Sequence, residues 1–197
     1  MMNRLFVLAL LGASLATPAF AQQGQQPQAP PTTSAFLRNM YNGNKNNIVR
    51  SAEKVGDDLY GLRPGPQMEV RTFGQHLAHV AKYNFLWCAQ AKGEKNPNTA
   101  PDLEKSLTTK AEIQKTLADS FAFCDPVYAS LDDQNGAQVV EIQQENGRVT
   151  RNTRMALLML NVVHNNEIYG NLVTTMRIKS IVPPSSEPRP AQPAAQR

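Results

Sequence analysis

The segment "NVVHNNEIYGNLVTTMRIKSIVPPSS" (161–186) decides how this chain folds. It starts as an apolar helix, interrupts itself with His164, Asn165, Asn166 and Glu167, and regains its apolar spacing at Ile168 and Leu172. Leu157 and Leu160 extend the same spacing upstream, so the sequence predicts one long helix from about Thr150 to Lys179. Pro183-Pro184 stops it, because proline has no amide hydrogen to give and crowds the preceding turn. His164 thus falls on the stripe Leu157, Leu160, His164, Ile168, Leu172, which is meant for the core.

Three more helices are expected upstream. Leu37, Tyr41, Ile48, Ala52, Val55, Leu59 and Leu62 recur at steps of three, four and seven, predicting a helix over 35–62 that the prolines and glycine of "RPGPQ" (63–67) end. Phe73, Leu77, Val80 and Trp87 predict a second over 72–92. "GEKNPNTAPD" (93–102) breaks that pattern and opens a long connection. A third helix, over 108–131, is carried by Ile113, Leu117, Phe121, Cys124, Tyr128 and Leu131; Pro126 either kinks it or restarts it behind Asp125. Val139, Val140 and Ile142 lie between two Asn-Gly pairs and are read as loop rather than hairpin. The expected class is all-α: a four-helix bundle with a long connection between its second and third helices.

The ends carry no core. "MMNRLFVLALLGASLATPAFA" (1–21) has a basic start, a short apolar run and a small-x-small close, the pattern of a cleavable secretory signal. Its apolar run is shorter than the ~18–20 residues a spanning helix needs, so no membrane insertion is expected after cleavage, and the periplasm is the expected location. Residues 22–33 read as a disordered Gln/Pro-rich leader, 34–182 as the folded domain, and 183–197 as a disordered Pro-rich tail. A net charge of +4, one unit of it from the signal segment, is mild and evenly spread, which argues against nucleic acid as a partner.

Cys88 and Cys124, the two cysteines, lie on the inner stripes of the second and third helices. In an exported chain they are expected to pair, closing a loop of about 36 residues for about 3–4 kcal/mol in the chain-entropy model. Two buried free thiols, or a nucleophile, are the alternatives; no CxxC is present. Tyr83, Phe85 and Trp87 either line a groove at the end of the second helix or pack inward, the plainer role for Trp87. No diagnostic spacing links Ser, His and Asp into a hydrolase triad.

All three histidines fall in helices: His76 and His79 on the second, His164 on the fourth. Imidazoles on facing helices are the usual material of metal sites in bundles, and the ordinary alternative is hydrogen-bonded core histidines. The pair of motifs "RTFGQHLAHVAKYN" and "HNNEIYGNLVTTMRIKSIVPPSS" resembles the DinB-like superfamily of bacterial four-helix bundles, over about residues 35–186. The resemblance implies a divalent metal such as zinc or nickel, held by one histidine of the second helix and two, four residues apart, on the fourth. It also implies a homodimer and, for some members, thiol-dependent transferase or isomerase activity. His79 and His164 match two of the ligands. Ile168 stands where the third belongs, and His76 or Glu167 is the possible substitute. The expected function is therefore an exported metal-binding bundle with an incomplete triad rather than a conventional enzyme, the alternative being a metal-dependent thiol transferase, isomerase or hydrolase.

Overall fold

The computed structural model of the 197-residue chain is described for residues 31–143 and 146–188. The expected signal segment, nearly all of the leader, and the tail beyond 188 lie outside these residues. Four long helices make the bundle: α1 (Thr33–Lys54), α2 (Phe73–Lys92), α4 (Lys110–Ala129) and α6 (Arg154–Ile178). Between them lie two single-turn helices, α3 (Leu103–Ser106) and α5 (Asp133–Gly136), and a hairpin of β1 (Val139–Gln143) and β2 (Val149–Thr153). Among the described residues no helix is long and apolar enough to cross a membrane.

The helix starts follow local chemistry. Thr32, Thr72, Thr109 and Thr153 each turn a hydroxyl oxygen to a free first-turn amide. At Thr72/Gln75 and Thr109/Glu112 the third residue reaches back to close a capping box. α2 ends at Gly93, whose φ of 71° is the left-handed cap that glycine adopts without strain.

Several boundaries depart from the periodicity. α1 stops at Lys54, because Val55 is extended and Gly56 leads into a 3-10 turn (Asp57–Leu59); Leu59 and Leu62 therefore lie beyond the helix. α4 runs through Pro126 without restarting, losing one amide donor while Ser130 N still donates to the Pro126 carbonyl. Residues 139–149, expected as loop, and Thr150–Thr153, expected as the start of the fourth helix, form an antiparallel hairpin in register from Val139↔Thr153 to Gln143↔Val149. Ile142 is its buried anchor, and Gly147, at φ 79°, supplies the turn. α6 accordingly begins at Arg154. Its buried face is Leu157, Leu158, Asn161, Asn165, Ile168 and Leu172, while Leu160 is 48% exposed. This face is turned from the expected stripe and leaves His164 at its edge.

α2 is the central helix, packing on α4 and α6, with α1 closing the bundle against both. Cys88 and Cys124 form a disulfide joining α2 to α4, with Cα atoms 5.5 Å apart and both residues fully buried. Polar groups in the core are tied together: Asn84 Nδ2 donates to Ser120 Oγ at 3.1 Å, Asn165 Nδ2 to Asn84 Oδ1 at 2.8 Å, and Asn44 Nδ2 to the Val162 carbonyl at 2.8 Å. Past α6 the chain does not leave the bundle at the double proline. Pro183 and Pro184 are buried, a 3-10 turn (Pro184–Ser186) follows, and Ser185 N donates to the Tyr169 hydroxyl at 3.0 Å. Glu187 then pairs with Lys54 at 2.6 Å and with Arg50, both on α1.

Candidate functional site

His79 faces His164 across the α2–α6 seam, their ring centroids 4.9 Å apart and planes tilted by 41°. Tyr83 follows one helical turn after His79 and Trp87 one turn later, so three rings share one face of α2. Tyr83 lies 4.7 Å from His79 and 4.6 Å from His164. Trp87 lies 4.7 Å from Tyr83 and meets His164 edge-on at 5.0 Å. Phe85, placed with them by the sequence, instead pairs with Phe123 of α4 at 5.9 Å.

The histidines are largely withdrawn from water. His76 and His79 are 6% and 8% exposed. Neither ring nitrogen of His164, nor Nδ1 of His76, is exposed or makes a hydrogen bond of normal geometry, although the Asn165 side chain interacts with the His164 ring. Burial, followed by the nearby His79, pushes the His164 imidazole down to about 4. Burial and then Arg71 push His76 down to about 4. His79 is lowered by burial, against an opposing hydrogen bond to Glu104. At neutral pH all three rings are therefore neutral and each carries a nitrogen lone pair.

Glu104, on α3, is the residue that sequence reading missed. Its Oε1 lies 2.5 Å from His79 Nδ1, and its Oε2 accepts from Arg71 Nε at 2.6 Å. Burial pushes the Glu104 carboxyl up, but the hydrogen bonds from Arg71 and His79 outweigh it and hold it below the usual carboxylate range. The only local sign of this role is Asp102, whose side chain accepts from Glu104 N and so caps a short helix inside the 93–107 connection. Nothing in the residue order ties that turn to a histidine 25 positions earlier.

The expected third donors are placed less favourably. Ile168 is in the core at 4% exposure, Glu167 is exposed on α6, and His76 lies one turn before His79 on α2. Two imidazoles on one tetrahedral zinc, with Zn–N about 2.0–2.1 Å, stand with centroids roughly 5 Å apart. The His79–His164 separation fits that figure, and the His79–Glu104 contact is the outer carboxylate that metal-bound histidines commonly have. Among the described residues, however, no three His, Cys, Asp or Glu side chains are grouped to hold an ion. The pair suits an ion with open positions, not a closed structural site.

A model of the DinB superfamily matches residues 40–167. Among solved structures, a conserved protein of Enterococcus faecalis aligns at 12% identity and a TM-score of 0.57, over 76% of this chain and 98% of its own. A DinB-like protein from Bacillus subtilis aligns at 21% identity and 0.52, over 75% of this chain and 93% of its own. A mycothiol-dependent maleylpyruvate isomerase aligns at 15% identity and 0.52, over 73% of this chain and 63% of its own. These identities establish a shared fold. No curated protein matches the sequence.

Proposed function

Because the chain belongs to the DinB superfamily, we propose that it is an enzyme of the thiol-dependent isomerase or transferase kind, with its reaction centre at the His79–His164 pair. The observation that carries this is a half-buried, neutral imidazole whose two nitrogens are withdrawn from water and make no hydrogen bond of normal geometry, facing a second imidazole whose far side is fixed by a carboxylate. Unpaired buried polar atoms cost about 1–3 kcal/mol each, which a ligand in the seam offsets. The likeness to a mycothiol-dependent isomerase supports the thiol-linked class.

Zinc or nickel is the accessory ion of this reading, held by His79 and His164; when bound, such an ion lowers the pKa of a thiol or of water. The protein's own contribution is positional. His79 and His164 present lone pairs, Tyr83 and Trp87 wall the seam against water, and Glu104 holds His79 from behind. A pKa near 4 suits His164 to donating a lone pair rather than storing a proton at neutral pH.

Export to the periplasm is part of the proposal, supported by the amino-terminal signal pattern and by a disulfide, which persists in oxidising compartments. A homodimer is the family-implied assembly; Met159, Leu160 and Val163 form an exposed apolar strip on α6 available to it. A second reading, a non-catalytic metal-binding bundle, is favoured by the missing third protein donor.

Protein purified without a histidine tag, stripped with chelator and titrated with zinc or nickel, should take up one ion. His79→Ala and His164→Ala should each weaken uptake at least tenfold. The stripped and reloaded protein should then isomerise maleylpyruvate in the presence of a suitable low-molecular-weight thiol. Uptake without turnover across a panel of thiols would favour the second reading. Neither uptake nor turnover would remove both.

A further inference from the structure

Glu104 does more than fill space beside His79. When ionised it has only acceptor oxygens, so the hydrogen in the 2.5 Å contact belongs to His79 Nδ1 and the lone pair is left on Nε2. A free imidazole in water favours the opposite form, so the contact selects a minor tautomer. The arrangement is braced on both sides. Arg71, immediately before the Thr72 cap of α2, grips the second carboxylate oxygen, while Asp102 caps the turn that carries Glu104 and pairs with Lys105 at 3.0 Å. The Glu104 side chain is only 15% exposed, so solvent screens the contact weakly.

We infer that Glu104 is a positioning residue that sets the tautomer of His79, so that the Arg71–Glu104–His79 chain presents the Nε2 lone pair to a ligand in the seam. This rests on the reading of the His79–His164 pair as the reaction centre. The consequence is specific: the connection between α2 and α4 is a working part of the site, in which α3 anchors Leu103 in the core and delivers the Glu104 carboxylate.

The test is ring-nitrogen NMR on chelator-stripped protein, with zinc alone as the probe ligand. Wild-type His79 should show a protonated Nδ1 and a bare Nε2. Glu104→Ala should shift it towards the Nε2–H form and weaken zinc binding by about 10–100-fold. Glu104→Gln, which keeps an acceptor oxygen without the charge, should restore the Nδ1–H form and part of the affinity. The thermal melt of every variant should stay close to that of wild type, which separates a local role from general damage. A wild-type His79 protonated at Nε2 overturns the inference, as does a Glu104→Ala protein whose tautomer matches wild type. If wild type takes up no zinc, the metal reading fails, and the tautomer comparison still decides the role of Glu104.

Discussion

At the scale of the residue, the histidines tie pH to stability. His76 and His164 are held near 4 in the folded protein, against an ordinary value of 6.5, chiefly by burial. The unfolded chain therefore takes up protons first as the pH falls. Their contribution is fully present above about pH 6.5 and is lost progressively towards pH 4, at up to about 1.4 kcal/mol per pH unit for each ring. Urea denaturation of stripped protein between pH 7.5 and 5 should show this decline, and His76→Gln/His164→Gln should flatten it. An equally steep decline in that double variant would assign the effect to other groups. His164 also shows how far residue order reaches. Its helix and its nearness to an apolar stripe were legible, but its partner His79 was placed opposite it only through the family resemblance. Glu104 was not legible at all, since a contact between a connection and a helix leaves no periodic trace.

At the scale of the element, α2 and α4 depend on each other through Cys88–Cys124. The 36-residue separation that the bridge closes contains α3, so the cross-link confines the two ends of the segment that delivers Glu104. Cys88→Ala/Cys124→Ala should cost about 3–4 kcal/mol. In a domain of this size that lowers Tm by roughly 10 °C, measurable by thermal denaturation against the oxidised wild type. A drop of only a degree or two would mean that the packed helices already restrict the unfolded chain. The four long helices were legible because each carries a repeating apolar face bounded by proline, glycine or polar stretches. The hairpin was not, because Val139, Val140 and Ile142 are too few to establish alternation, and β2 (Val149–Thr153) is largely polar. The turned face of α6 escaped for a related reason. Asn161 and Asn165 are buried through core hydrogen bonds, so a count of apolar residues set the helix in the wrong rotation.

At the scale of the whole molecule, the segment after the double proline is a strap rather than a loose end. Pro183 and Pro184 are buried, Ser185 is tied to Tyr169 by two hydrogen bonds, and Glu187 reaches α1. Truncation after Val182 should therefore destabilise the bundle by about 1–2 kcal/mol, through lost apolar burial and an unpaired tyrosine hydroxyl. Glu187→Ala alone should leave Tm nearly unchanged, because its ion pairs face solvent. Truncation without effect would mean that the strap rests on the bundle without supporting it.

The ring ladder has one more consequence. Trp87 is the only tryptophan in the chain, and it meets His164 edge-on at 5.0 Å. The protein's intrinsic fluorescence therefore comes from an indole at the wall of the candidate site. Anything that charges, coordinates or displaces His164 acts directly on that emitter, so occupancy can be followed by light without attaching a dye.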